Sequence, residues 1–381
     1  MTAVLNNQET AVLTAECDGG EFRRAVELAT AERKRYGALP LALVDASDGL
    51  RIAYFGPSAS VSVPVQGSEV QAAGAVSVYA SELAAMARAL PAGTVRVTVR
   101  EGFLQLEYRD AVHSLITGDA GDVLDVPKGE CQALAAMDAK ALRQALERVA
   151  FAAEKTGKSR WALQGVHVRI GEGVLTLAAS DTFRLPRLRA AVHTAGGGEA
   201  VLPNGAAALA MRALKTARGR VKVTVRVHDR KQRIVELHGE SFTLRAFAIE
   251  AQYPAYERII PERYAARLVL DREAFAAAVQ AVAPAAAADI NRAMFRTEAG
   301  KLWVTAAGDK SAQAQASVCC AGDMAEAVAF NCRYLLDGLR ACGGELVTLG
   351  VTGPASVACL WPGNTGAPGD YLYLIMPMRP A

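Results

Sequence analysis

The sequence predicts an α+β protein assembled from three copies of one module. Three observations carry that prediction: a helix pattern occurs three times, an alternating strand follows each occurrence, and those strands begin 126 residues apart both times. A third of the 381-residue chain is 127 residues, so the spacing accounts for the full length. An internal repeat constrains architecture more tightly than any local pattern.

Taken in order, the first helix of each copy is expected around Phe22 to Arg35, Ala141 to Glu154 and Arg272 to Val282. Strand-like runs follow, such as Gly173 to Ala179 and Gly300 to Ala306. The second helix is read from Tyr79–Leu90, Leu202–Leu214 and Phe330–Cys342. Each of these has a polar residue near its start (Ser81, Asn204, Asn331), apolar residues at helical spacing and a basic residue near its end. The runs Val95–Val99, Val221–Val225 and Val347–Val351 then alternate with a period of two, the mark of a strand with one buried face. Pro127 and the stretch from Pro254 to Pro261 mark breaks, giving modules at 1–128, 129–262 and 263–381.

Composition narrows the function. With 51% hydrophobic and 21% charged residues the chain can build a packed core and is not a disordered polymer. No run of about 18 uncharged apolar residues is present, and Met1 to Thr10 lacks a signal-peptide pattern, so a cytoplasmic protein without membrane association is expected. Seven cysteines without a Cys-x-x-Cys spacing suggest neither a disulfide framework nor a zinc ribbon, and are read as buried small side chains. A net charge of +3 is too small for wholesale polyanion binding, so the position of each basic group matters more.

Catalytic patterns are absent. The five histidines (113, 167, 193, 228 and 238) have no metal-ligand spacing, and Gly196–Gly198 fits no nucleotide fingerprint. Ser180 and Asp181 are adjacent on a strand edge and cannot form a relay; Cys332 has no histidine at a motif spacing. No catalytic residue, metal or cofactor is therefore expected. Basic residues instead gather near helices: Arg33, Lys34 and Arg35; Lys155, Lys158 and Arg160; and Arg212, Lys215, Arg218 and Arg220. Their recurrence suggests a shared surface that holds a phosphate backbone without reading bases. The apolar end Tyr371–Ala381, with Met376 and Met378 around Pro377, suggests an adaptable docking cleft.

These landmarks together resemble the bacterial sliding clamps, the beta subunit of DNA polymerase III. The closing Tyr373–Arg379, the segment Tyr253–Pro261, the helix start Phe330–Asp337 and the hexapeptide Ser180–Leu185 look like that family's motifs in its order. The likeness is strongest in the second and third modules; in the first it rests mainly on the repeat and on Leu39-Pro40. It implies three DNA-clamp domains per chain, each with two helices on antiparallel sheets, and two chains closing head to tail into a six-domain ring around duplex DNA. It also implies a groove for short peptides of the DNA polymerase III alpha subunit, the clamp loader and repair polymerases.

Carried over by position, Leu163, Thr182, Leu185, Pro254, Arg258, Ile259, Leu374, Ile375, Met376, Pro377 and Met378 would line that groove. Phe183, Arg184, Asn331, Tyr334, Ser356 and Arg379 would form its rim. The dimer contact would use Val112, Leu115 and Thr117 on one edge and Pro284, Ser311, Gln313 and Gln315 on the other. Departures are plain: Thr182 and Phe183 stand where the family usually has glycine and then histidine or tyrosine, and Pro380 and Ala381 follow Arg379 where the family commonly ends one residue after the arginine. Neither Val112–Thr117 nor Ser311–Val318 carries an Asp, Glu, Lys or Arg, which predicts a ring that closes more weakly, or more by backbone pairing, than a typical clamp. A monomeric or weakly dimeric scaffold that binds the same peptides is the alternative reading.

Overall fold

The computed structural model describes residues 12–31, 41–56, 59–123, 126–157, 160–228, 232–287, 290–307 and 313–379. Its six α-helices are α1 (Gly19–Ala29), α2 (Ala80–Ala89), α3 (Ala139–Ala150), α4 (Asn204–Thr216), α5 (Arg272–Ala286) and α6 (Cys332–Cys342). Two fall in each third of the chain, as the repeat requires. α1 has Phe22, Ala25, Val26 and Ala29 buried, a stripe at helical spacing, with exposed Arg24 and Glu27 between them.

The three modules share a local construction that the sequence reading passed over. An aspartate ends the first strand of each and caps the first helix. Asp18 accepts from the N–H groups of Gly20 and Glu21, Asp138 from Lys140 and Ala141, and Asp271 from Ala274. Each carboxylate satisfies amides that the helix start leaves open. In the sheet, Asp18 lies opposite Thr94, Asp138 opposite Arg220 and Asp271 opposite Leu346, so the strand after the second helix meets the cap in one register. The next residue's N–H donates across the same gap each time, from Gly19 to the Gly93 carbonyl, Ala139 to Gly219 and Arg272 to Glu345, at 2.9, 2.9 and 2.8 Å.

Several sequence expectations change here. α1 ends at Ala29, closed by Thr30, whose N–H and hydroxyl both donate to the Val26 carbonyl, and does not run on to Arg35. α3 begins two residues earlier than expected, because Asp138 sets its start, and ends at Ala150. Of the three polar residues assigned as caps, only Asn331 caps, accepting from the N–H groups of Arg333 and Tyr334. Ser81 lies inside α2, whose N-terminal boundary residue Tyr79 makes no side-chain cap, and Asn204 donates its amide to the Glu154 carbonyl. The cysteines are not all interior: Cys131 and Cys319 are exposed and Cys320 is half-buried. Cys17, Cys342 and Cys359 are buried, and burial pushes each thiol up to about 12.

The chain packs as two compact units, Met1–Arg143 with Gly205–Ala248, and Gln144–Asn204 with Ile249–Ala381. The reason lies in strand pairing between thirds of the chain. In the first unit, Phe242–Phe247, the last strand of the middle third, pairs antiparallel with Ser60–Pro64 of the first, Leu244 opposite Val61. In the second unit, Tyr371–Ile375, the last strand of the final third, pairs with Arg184–Ala191 of the middle, Leu185 opposite Leu374. That pairing sits inside a 12-stranded sheet that runs from Gly198–Pro203 at one edge to Val328–Asn331 at the other.

Candidate functional site

Alternation along the second unit's sheet sorts its side chains into two faces. One face carries Val201, His167, Ala178, Arg187 and Leu372 as a row of directly opposed residues, and beside it Leu185, Leu374 and Cys359 as a second row. Leu163, Tyr253, Tyr256 and Trp361 join the apolar members of both rows in one buried cluster. Leu163, Leu185 and Leu374, expected to line the groove, are thus part of the core, each 5% exposed or less. At the surface of the same unit Phe183, Ile259 and Met376 leave 56%, 50% and 40% of their area exposed. Pro254 is half-buried and Arg258 exposed, both on the segment that lays Tyr253 and Tyr256 over the sheet.

The hexapeptide is held by its own polar groups. The Ser180 hydroxyl donates to the Arg184 carbonyl at 2.9 Å and accepts from the Thr182 N–H at 3.1 Å. Asp181 accepts from the backbone N–H groups of Phe183 and Arg184 and from Arg184 Nε. This tight turn sets Thr182 at φ +79°, a region where a β-branched residue is strained. Thr182→Gly is expected to raise unfolding stability by about 1 kcal/mol, measured by urea denaturation, because glycine enters this region freely. An unchanged or lower midpoint would count against strain at Thr182.

Arg184 organises the rim. Its guanidinium reaches Asp181 at 2.9 Å and Asp337 of α6 at 2.6 Å, and lies over the Tyr334 ring at 4.4 Å and the Phe151 ring at 5.4 Å. Phe183 stacks on Tyr334 with centroids 6.1 Å apart. The tail is pinned at alternate residues: the Met376 N–H donates to the Phe183 carbonyl and the Met378 N–H to Ala329, both at 2.8 Å, while Pro377 between them has no N–H to offer. The Arg379 carbonyl accepts from Arg292.

Not every expected residue lies where a ligand could reach it. Ile375 is wholly buried on the sheet face opposite Leu374, so it belongs to the core and not to the cleft lining. The Asn331 amide is engaged as a cap and as a donor to the Ile290 carbonyl, which makes its role structural. Ser356 is exposed in the turn after Gly353. The sequence reading missed Trp161, 62% exposed two residues before Leu163, together with the partners Asp337 and Phe151. Only a fold could bring the last two to Arg184.

Among the cationic candidates, Arg33, Lys34, Arg35 and Lys158 lie outside the described residues. Lys155 and Arg160 are exposed, as are Arg212 and Lys215 on α4 and Arg218 and Arg220 after it. Arg220 also donates to the Ala136 carbonyl. Exposed Arg88, Lys140 and Arg333 on α2, α3 and α6 escaped the search for charge runs because each is isolated in sequence. Among the expected dimer residues Val112 is 59% exposed on the edge strand Ala111–Ile116, and Thr117 follows it. Leu115 is buried in its own sheet, and Ile116, at 67%, is the outward residue instead. Pro284 is exposed within α5, Gln313 and Gln315 are exposed on Gln313–Ala321, and Ser311 lies outside the described residues.

Two family models match this chain. Residues 136–255 match the model for the DNA polymerase III beta subunit, central domain, and residues 257–379 match that for the C-terminal domain. The chain belongs to the DNA polymerase III beta subunit family. The beta sliding clamp of Synechococcus elongatus is 25% identical over 331 residues, covering 82% of this chain and 83% of that protein. The beta sliding clamp of Caulobacter vibrioides is 28% identical over 272 residues, 68% of this chain and 69% of its own. The fold matches crystal structures of the beta subunits of Pseudomonas aeruginosa (TM-score 0.85, 21% identity, 96% of this chain and 100% of that one) and Thermotoga maritima (0.84, 20%, 97% and 100%). The expected fold of repeated beta-subunit domains is thereby established, and the sliding-clamp reading is favoured over the isolated scaffold. Among the described residues, no helix is long and apolar enough to cross a membrane.

Proposed function

We propose that this sliding clamp closes head to tail as a two-chain ring on duplex DNA and holds polymerases and other replication or repair proteins by short peptides seated in the cleft. It works as a tether in the cytoplasm and not as an enzyme. The modules it repeats are those at 1–128, 129–262 and 263–381.

One observation carries the ring. Within the chain the last strand of a module pairs with the fourth strand of the module before it, and this occurs twice, at Phe242–Phe247 with Ser60–Pro64 and at Tyr371–Ile375 with Arg184–Ala191. The series leaves one unused strand of each kind: Ala111–Ile116, at the edge of its five-stranded sheet, and Gln313–Ala321, whose residues 313–318 pair on one side only. A second copy supplies what each lacks, and unpaired edges are the sites proteins otherwise guard. Val112 and Ile116 give the contact apolar area in place of charge.

DNA contact needs no base readout. Single cations spread over α2, α3, α4 and α6 suit phosphates, and sliding requires that each contact be weak and salt-sensitive. The cleft supplies the tether, taking leucine or phenylalanine anchors over Leu163, Leu185 and Leu374. Loaded onto nicked circular plasmid, the protein is expected to stay bound through a high-salt wash and to be released when the plasmid is cut once. Loss in the wash, or retention that ignores linearisation, would overturn encirclement and favour the scaffold.

A further inference from the structure

The face of the sheet beneath the cleft contains a histidine that neither the tether nor the ring uses. His167 stands in the row Val201–His167–Ala178–Arg187, 4% exposed, with its ring stacked on Tyr253 (centroids 4.7 Å apart, planes 7° apart) and edge-on to Tyr256 at 5.9 Å. Those two tyrosines are the inner side of the segment whose outer side presents Pro254, Arg258 and Ile259. Nε2 faces the Glu199 carboxylate at 3.3 Å, while Nδ1 is buried with no partner among the described residues. Such an arrangement suits a neutral imidazole with its proton on Nε2; a second proton would put a donor at Nδ1 where nothing accepts it.

We propose that neutral His167 is a positioning residue of the cleft, holding the Tyr253–Ile259 segment against the sheet, so that peptide capture weakens as the solution becomes acidic. The inference rests on the cleft being the peptide site. Its mechanism is mechanical: an imidazolium would have to leave the apolar stack to reach solvent or a second acceptor, and Tyr253 and Tyr256 would follow it.

Burial sets the direction, against the net pull of the surrounding charges. Glu199, on the neighbouring strand Gly198–Pro203, and Glu257, on the turn Tyr256–Ile259, favour the cation; Arg169 on the same strand opposes it and is itself paired with Glu257 at 3.3 Å. Arg187 lies in the same row beyond Ala178, and the phenols of Tyr253 and Tyr256, both pushed well above their ordinary range by burial, stay neutral throughout. Burial outweighs the carboxylates and holds His167 below the usual histidine value. A group shifted this way stabilises its arrangement above about pH 6.5, and that contribution is lost as pH falls below it.

The test is fluorescence polarisation with an end-blocked peptide carrying leucine and phenylalanine anchors and no side chain that titrates between pH 5 and 8. Wild type is expected to bind at least about threefold more weakly at pH 5.5 than at pH 7.5. His167→Phe, which keeps the stack but cannot titrate, is expected to show no such slope whatever its affinity at pH 7.5. A flat wild-type profile, or the same slope in His167→Phe, overturns the proposal. Failure of both proteins to bind at pH 7.5 would instead refute the peptide site. Proton NMR of the free chain then decides the positioning role: the Tyr253 ring signals are expected to move with the His167 titration, and their indifference to it would end the idea.

Discussion

Met376→Asp is expected to weaken peptide capture by at least about a hundredfold while leaving the folded protein intact. Met376 is 40% exposed, so a carboxylate there stays hydrated in the free chain. Its main-chain N–H still donates to the Phe183 carbonyl, because that bond does not involve the side chain. Only when an apolar anchor covers the position does the charge lose its water, at a cost of several kcal/mol, and each 1.4 kcal/mol is about tenfold in affinity. Met376→Leu should bind within about threefold of wild type, since volume-conserving apolar exchanges are well tolerated. Peptide binding by polarisation, alongside a thermal melt, measures both. Wild-type affinity in Met376→Asp would remove the tail from the binding surface.

Arg184→Ala should lower the stability of the second unit by roughly 2 to 3 kcal/mol, seen as an earlier urea transition of that unit. The side chain is 12% exposed, and its removal leaves Asp181, 15% exposed, and Asp337, 33% exposed, without the cation between them. Two features hold the loss near the lower end of the range for a broken buried pair: Asp181 keeps two backbone N–H donors, and Asp337 keeps Arg340 at 3.0 Å. Arg184→Lys should recover little, because an ammonium cannot fork between two carboxylates while lying flat on Tyr334. Arg184→Ala/Asp337→Ala should be more stable than the sum of the single losses. Strict additivity would mean that the pair is a surface contact of little weight.

Thr182 and Phe183 pair a strained backbone with an aromatic contact. The left-handed turn at Thr182 is held by backbone N–H groups that donate to Ser180 and Asp181, at the cost of local strain. Phe183, in turn, gains a ring partner in Tyr334.

Much of this protein is determined by the sequence alone. The 126-residue spacing of the valine-rich strands, the helical stripes and the motifs around Tyr253, Phe330 and Tyr373 establish three α+β modules and the family, because periodicity and local motifs are properties of consecutive residues. The strand-end aspartates at 18, 138 and 271 are also legible, being cap residues placed just before helical patterns. What tertiary structure alone decided is which side chains meet across long separations in the chain. Alternation along paired strands put Leu374 and Ile375 on opposite faces of the sheet, and turned Leu115 inward and Ile116 outward. Folding joined Arg184 to Asp337 and set His167 under Tyr253. Register and packing fix those contacts, and neither is a function of nearest neighbours in the sequence.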